Sequence, residues 1–297
     1  MVRRPVQDKP ETGHEAAGDS RGGRQEFAAR GLAAKRSFGQ CFLADPNIAR
    51  IIAQEATTPA GGTTLEIGAG TGALTAPLLA RAARVIAIER DRDLVPVLHA
   101  TFAGAIEAGR LVVVEDDAVS ADWASLVAEG PEPRILAGNI PYQITGRILQ
   151  RAVEHAAAFQ RAVFLVQKEV AQRLAARPGT KDYGAMTVFV RSRFAPSLRV
   201  VVPASCFRPK PRIDSAVVVL RVSEPVPGCD GATFEELVAC AFSKRRKTLR
   251  NAWAGAAGLD ATELERAAKG AGVELDARGE SLTVEQYGRM ARAIDGR

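Results

Sequence analysis

The segment Glu66-Ile67-Gly68-Ala69-Gly70-Thr71-Gly72 closes an apolar, β-rich run that begins at Thr63 and precedes a helical pattern over Ala73–Ala82. Alternate glycines between a strand and a helix let the backbone turn sharply and approach a ligand without side chains in the way. The spacing is G-x-G-x-G, not the G-x-G-x-x-G of dinucleotide folds. Taken alone, such a cluster is as consistent with a tight turn as with binding.

The pattern beyond the turn settles the fold class. Strand patterns over Arg84–Glu89, Leu111–Glu115, Arg134–Asn139 and Ala162–Val166 alternate with helical ones over Leu94–Ala103, Thr145–Ala158 and Lys168–Ala176. Leu198–Val202 and Ala216–Val222 read as a closing hairpin pair. This alternation predicts an α/β protein with a Rossmann-like, doubly wound sheet and ligands at the carboxyl ends of its strands. After Pro225 and Pro227 only helical patterns remain, over Phe234–Phe242, Lys244–Ala256, Thr262–Lys269 and Val284–Ile294. The expected organisation is a basic, disordered tail over 1–36, an α/β domain over 37–224 and a small all-helical domain over 225–297.

Composition narrows the setting more than the chemistry. No apolar run reaches the roughly 20 residues that span a bilayer, and the tail lacks the apolar stretch of a signal peptide. Cys41, Cys206, Cys229 and Cys240 are scattered, with no Cys-x-x-Cys pair and no clustered histidines. Neither a disulfide framework nor a metal site is expected, and a reducing cytoplasm fits. A net charge of +6 is compatible with a nucleic-acid partner without establishing one.

Two acidic residues add weight to the glycine turn. Glu89 ends the second strand, where a carboxylate can accept both hydroxyls of a ribose. Asp117 follows the third strand and can accept from an adenine amine. Each is equally readable as a solvated strand-end acid. Glu66 can contact a cofactor or tie down its own loop.

The segment Asn139-Ile140-Pro141-Tyr142 ends the fourth strand on the same edge of the sheet. An aromatic amine is a poor nucleophile because its lone pair is delocalised into the ring. An Asn oxygen and a neighbouring carbonyl can accept its two N–H bonds and turn the lone pair outward. Pro141 stiffens the loop and brings no competing N–H, and Tyr142 can stack on the base. Together with the glycine turn, this implies an amino-group methyltransferase that uses S-adenosylmethionine. A second aromatic candidate is Phe207, in an expected exposed loop whose prolines suit no central strand. It can face an extruded base while Arg208, Lys210 and Arg212 meet phosphates, or it can plug the core. The run Lys244-Arg245-Arg246-Lys247-Thr248-Leu249-Arg250 places five cations in seven residues at the expected start of a helix. Local contact with an RNA backbone is the reading it favours.

The chain resembles the KsgA/RsmA family of small-subunit ribosomal RNA adenine N6-dimethyltransferases. The resemblance runs from about Arg36 to Ile294. Besides the two turns, it is carried by Ser37-Phe38-Gly39-Gln40-Cys41-Phe42-Leu43, Gln167-Lys168-Glu169-Val170, Tyr183-Gly184, Asp214-Ser215-Ala216-Val217, Arg245-Arg246-Lys247-Thr248-Leu249-Arg250-Asn251 and Arg278-Gly279-Glu280-Ser281-Leu282-Thr283. The resemblance implies dimethylation of two adjacent adenosines in a hairpin loop near the 3′ end of that RNA, within an immature 30S particle. It further implies that Gln40, Phe42, Leu43, Glu66, Gly68, Gly70, Glu89, Asp117 and Asn139 line the cofactor pocket. Tyr142 and Phe207 would sandwich the target adenine. The chain departs from the family at Cys41, where the family has Asn, and at Gln143, where it usually has Asn. A monomer is expected. The competing readings are a large-subunit rRNA methyltransferase that confers antibiotic resistance, an assembly factor for which methylation is secondary, and a nicotinamide-dependent dehydrogenase. The last leaves Asn139–Tyr142 and the basic run unexplained.

Overall fold

The computed structural model describes Lys35, residues 40–244 and residues 246–296. The expected tail over 1–36, apart from Lys35, and the expected contact at Arg245 lie outside the described residues. In chain order the strands are β1 (Phe42–Leu43), β2 (Thr63–Ile67), β3 (Arg84–Glu89), β4 (Leu111–Glu115), β5 (Arg134–Asn139), β6 (Arg161–Gln167), β7 (Phe194–Val202), β8 (Phe207–Arg208) and β9 (Ser215–Val222). Seven of them form one sheet in the order β4-β3-β2-β5-β6-β9-β7. From β4 to β6 every pairing is parallel, and β9 runs antiparallel to both β6 and β7.

Burial on both faces explains why the parallel strands read as continuous apolar runs. Successive side chains of a strand point to opposite faces, and β3 divides accordingly. Ile86 and Ile88 join one apolar cluster with Leu65, Leu136 and Phe164. Val85 and Ala87 join another with Ile135, Val163 and Leu165. The helix Thr145–Glu154 covers the first face through Ile148, Leu149 and Ala152. The helix Pro46–Ala56 covers the second through Ile48, Ile52 and Ala53. Sequence reading missed this last helix, although Asp45-Pro46 carries its start signal. Asp45 caps the backbone N–H groups of Asn47 and Ile48 at 2.8 and 3.4 Å, with proline in the first turn.

Order reversal positions the site. The chain lays down β2, β3 and β4 toward one edge, then returns to place β5 on the other side of β2. Connections therefore leave β2 and β5 in opposite directions, which opens a crevice at their carboxyl ends.

The helices beyond Gly231 build a third apolar cluster around Trp253 and Tyr287, both fully buried, and it takes in Tyr183 and Val188 as well. Trp253 Nε1 donates to Leu237 O at 2.8 Å and the Tyr287 hydroxyl to Gly279 O at 2.9 Å, so the polar atoms of these two buried rings are satisfied. The expected helix Lys244–Ala256 does not form. Lys244 caps the helix Ala232–Ser243, and the next helix covers only Leu249–Ala252. Like charges three and four residues apart oppose helix formation through the cationic run. Among the described residues, no helix is long and apolar enough to cross a membrane.

Candidate active site

A cleft at the carboxyl ends of β2, β3, β4 and β5 brings together Gln40, Phe42, Gly68, Gly70, Glu89, Asp117 and the Asn139–Tyr142 turn. Its cavity volume is about 140 Å³, and the cleft is open to solvent. These positions come from segments far apart in sequence, and the sheet reversal is what assembles them.

The glycine turn forms one wall. Gly70 has φ +60, and a Cβ there would come within 3.3 Å of the Phe42 ring. A side chain would both strain the backbone and fill the approach to the cleft. Glu89 anchors the turn from the neighbouring strand. Its Oε2 accepts from Gly70 N and its Oε1 from Asp91 N, each at 2.7 Å. Burial pushes the Glu89 pKa up, against the backbone N–H groups of Asp91 and Gly70, which hold it down. Each carboxylate oxygen retains a lone pair after these bonds, so the group can still take two hydroxyl donors. Asp117 is oriented in the same manner. Val119 N donates to its Oδ1 at 2.9 Å, and Arg90 Nη1 lies 3.1 Å from its Oδ2. Arg90 also lines the cleft; its place directly after the strand-end acid was the only sequence signal for it.

The opposite wall is the Asn139–Tyr142 turn. Asn139 Nδ2 donates to the backbone carbonyl of Cys41 at 2.8 Å. That bond fixes the rotation of the amide and leaves Oδ1 as the acceptor. Because Cys41 acts through its main chain, the exchange of Asn for Cys at this position leaves the contact intact. Tyr142 is half-buried, and its hydroxyl is 2.7 Å from Ser215 Oγ, which is itself fully buried. Cys41, Gln143, Ile144 and Asp116 complete the lining on these sides.

Three expected site residues lie elsewhere. Phe207 is 0% exposed, sits in the core cluster beneath the second sheet face and pairs with Leu43 in the two-stranded ribbon β1–β8. It is not in an exposed loop and does not line the cleft; backbone pairing with β1 turns this segment inward. Leu43 is buried in the same cluster. Glu66 is 1% exposed and accepts from Thr75 Oγ1 at 2.7 Å. It ties the end of β2 to the helix Thr75–Leu79 beyond the glycines, which is the loop-fastening alternative.

The basic residues divide as well. Arg208 donates from Nη1 to the carbonyls of Ser205 and Phe207, both at 2.9 Å, whereas Lys210 and Arg212 are exposed. Arg250 is taken up by Glu265 at 2.7 Å and Asp276 at 3.3 Å. Lys244, Arg246 and Lys247 are exposed.

Glu66 generates a testable pH dependence. Burial pushes its carboxyl from 4.5 up to about 8, Thr75 opposing and Glu89 reinforcing the shift. Between these values the folded protein holds a proton that the unfolded chain has released, so stability falls as pH rises. Glu66→Gln cannot titrate and is expected to lose less stability than the wild type between about pH 5 and about pH 8. Denaturant unfolding at the two pH values checks this, and parallel losses in both proteins would contradict it.

Comparison with known proteins agrees with the site. Residues 31–295 match the ribosomal RNA adenine dimethylase family. A protein from Anaeromyxobacter sp. (strain K), named ribosomal RNA small subunit methyltransferase A, is 42% identical over 272 residues, covering 89% of this chain and 94% of its own. One of the same name from Moorella thermoacetica is 40% identical, with the same coverage. Among solved structures, a dimethyladenosine transferase from Plasmodium falciparum superposes with a TM-score of 0.67 at 25% identity, over 84% of this chain and 95% of that one. The 23S rRNA methyltransferase ErmE gives 0.62 at 28% identity, over 86% and 99%. With that match across nearly all of its length, and the acidic, glycine-rich and Asn-Ile-Pro-Tyr walls around one cleft, the chain belongs to the ribosomal RNA adenine dimethylase family.

Proposed function

We propose that this enzyme transfers methyl groups to N6 of two adjacent adenosines in the 3′-terminal hairpin loop of small-subunit ribosomal RNA, giving dimethyladenosine during ribosome biogenesis. It acts in the cytoplasm, as a monomer, on an immature 30S particle. The observation that carries the reading is the Asn139 amide, held by its nitrogen with its oxygen left as an acceptor at the cleft. The names of the relatives favour the small subunit.

The cofactor is S-adenosylmethionine, which supplies the methyl on a sulfonium that is already a good leaving group. Glu89 would take its ribose hydroxyls, Asp117 its adenine amine, and Gly68 and Gly70 would let it lie close to the backbone. Asn139 Oδ1 accepts one N–H of the target amine. The Pro141 carbonyl already accepts from Ile144 N and Thr145 Oγ1 at 3.1 and 3.2 Å, which leaves the Ile140 carbonyl for the second. Two fixed acceptors turn the lone pair toward the methyl, and alignment of this kind supplies most of the rate. Tyr142, its hydroxyl held by Ser215, stacks on the base that leaves the loop. No general base is required, because the proton is lost to water after transfer.

Residues 225–297 form the RNA-binding domain, with Lys244, Arg246 and Lys247 on phosphates beside the contributions of Lys210 and Arg212. Arg246→Ala and Lys247→Ala should each weaken RNA binding. Each should also reduce the slope of log affinity against log salt by roughly 0.7 to 0.9. A filter-binding series over salt concentration checks this, and an unchanged slope returns the run to a solvated surface.

The activity is tested with labelled S-adenosylmethionine on unmethylated small subunits, large-subunit RNA and a short hairpin, with nucleoside mass spectrometry of the product. Dimethyladenosine in small-subunit RNA is the expected result. Label only in large-subunit RNA would place the chain with the activity named for ErmE, the structure superposing at 0.62. Tight subunit binding without any label would make it an assembly factor.

A further inference from the structure

Gln40 lines the cleft, yet both ends of its amide are bonded to protein. Its Oε1 accepts from Lys35 N at 2.8 Å and its Nε2 donates to Asp91 Oδ2 at 2.8 Å. The Lys35 ammonium pairs with the other oxygen of Asp91 and, at 2.7 Å, with Asp93. Asp91 is only 2% exposed. Its own N–H donates to Glu89 Oε1 at 2.7 Å, so the clasp grows directly from the carboxylate assigned to the cofactor ribose. At the far end of the same short segment, the Cys41 carbonyl holds the Asn139 amide at 2.8 Å.

We propose that Asp91 is a positioning residue for methyl transfer. Through Lys35 and Gln40 it seats the Gln40–Phe42 segment so that the Cys41 carbonyl fixes Asn139 with its oxygen toward the target amine. The inference rests on the amine-orienting role proposed for Asn139. The β1–β8 ribbon holds the segment from Phe42 onward, and the clasp at Gln40 pins its other end, so the carbonyl between them stays in one place. A buried carboxylate with an ammonium donor on one oxygen and an amide donor on the other is a strong pin. The competing role is local. Asp91 Oδ1 also accepts from Asp93 N at 3.1 Å, and a residue that only closed this turn would affect stability alone.

Lys35 separates the two roles, because its side chain is partly exposed and its loss leaves the turn bond in place. On whichever RNA the wild type methylates, Lys35→Ala is expected to lower saturating turnover about tenfold, with a smaller change in KM for the cofactor and an unchanged melting temperature. Lys35→Arg is expected to retain turnover within about threefold. Hydrogen–deuterium exchange of the peptide covering residues 40–44 should be faster in Lys35→Ala and close to wild type in Lys35→Arg. Asp91→Ala should reproduce both effects of Lys35→Ala. Turnover within twofold and wild-type exchange in Lys35→Ala would overturn the proposal. So would an Asp91→Ala variant that melts earlier yet turns over normally. A wild type that methylates no RNA defeats the functional reading instead, and the exchange experiment still decides whether the clasp holds the segment.

Discussion

A carboxylate persists in a desolvated cleft only if its oxygens are bonded, and Glu89 meets that condition with two backbone N–H groups that it also organises. Gly70 N fastens the glycine turn to the end of β3, and Asp91 N fastens the turn just after β3. From there hydrogen bonds continue through Asp91 to Gln40, and the carbonyl of the next residue, Cys41, accepts from Asn139. The residue assigned to the cofactor and the residue assigned to the amine are thus parts of one framework. Buried polar networks of this type specify a single arrangement because each unmade bond is costly.

The framework divides chemical work across the sheet reversal. Acids and glycines lie on the β2–β4 side, the wall proposed to recognise the hydroxyls and amines of the cofactor. The Asn139–Tyr142 turn lies at β5, on the other side of β2, and is the wall proposed to receive the target base. Nothing in the scheme asks for a titrating base near neutral pH. The most strongly shifted carboxyl near the turn, Glu66, is buried and tied to Thr75, away from the lining of the cleft.

Much of this was legible in the sequence because strong periodicity reports strong burial. The strands Thr63–Ile67, Arg84–Glu89, Leu111–Glu115 and Arg134–Asn139 have the boundaries that their apolar runs predicted. The motif residues at the ends of those strands meet in one cleft, since doubly wound sheets gather strand ends. Less local features left weaker traces. The ribbon pairing Phe42 with Arg208 and Leu43 with Phe207 is two residues long on each side and joins distant segments. No periodicity can announce such a pair, so the sequence left Phe207 between an exposed loop facing a base and the core. The cationic run looked helical by spacing, but spacing takes no account of repulsion between like charges. Lys35 and Asp91 carried no motif; only the fold shows that they share the segment feeding Asn139.

Everything in this scheme converges on a fixed Asn139 oxygen that prepares the amine for transfer. The sharpest probe is the single-turnover methyl-transfer rate of Asn139→Ala, at saturating cofactor and RNA, with binding of both measured separately. The expected result is a loss of about 100-fold or more, the scale of a small misplacement in a reaction governed by orientation, with RNA affinity largely preserved. A rate within threefold of the wild type would show that the amine is oriented by something other than this side chain.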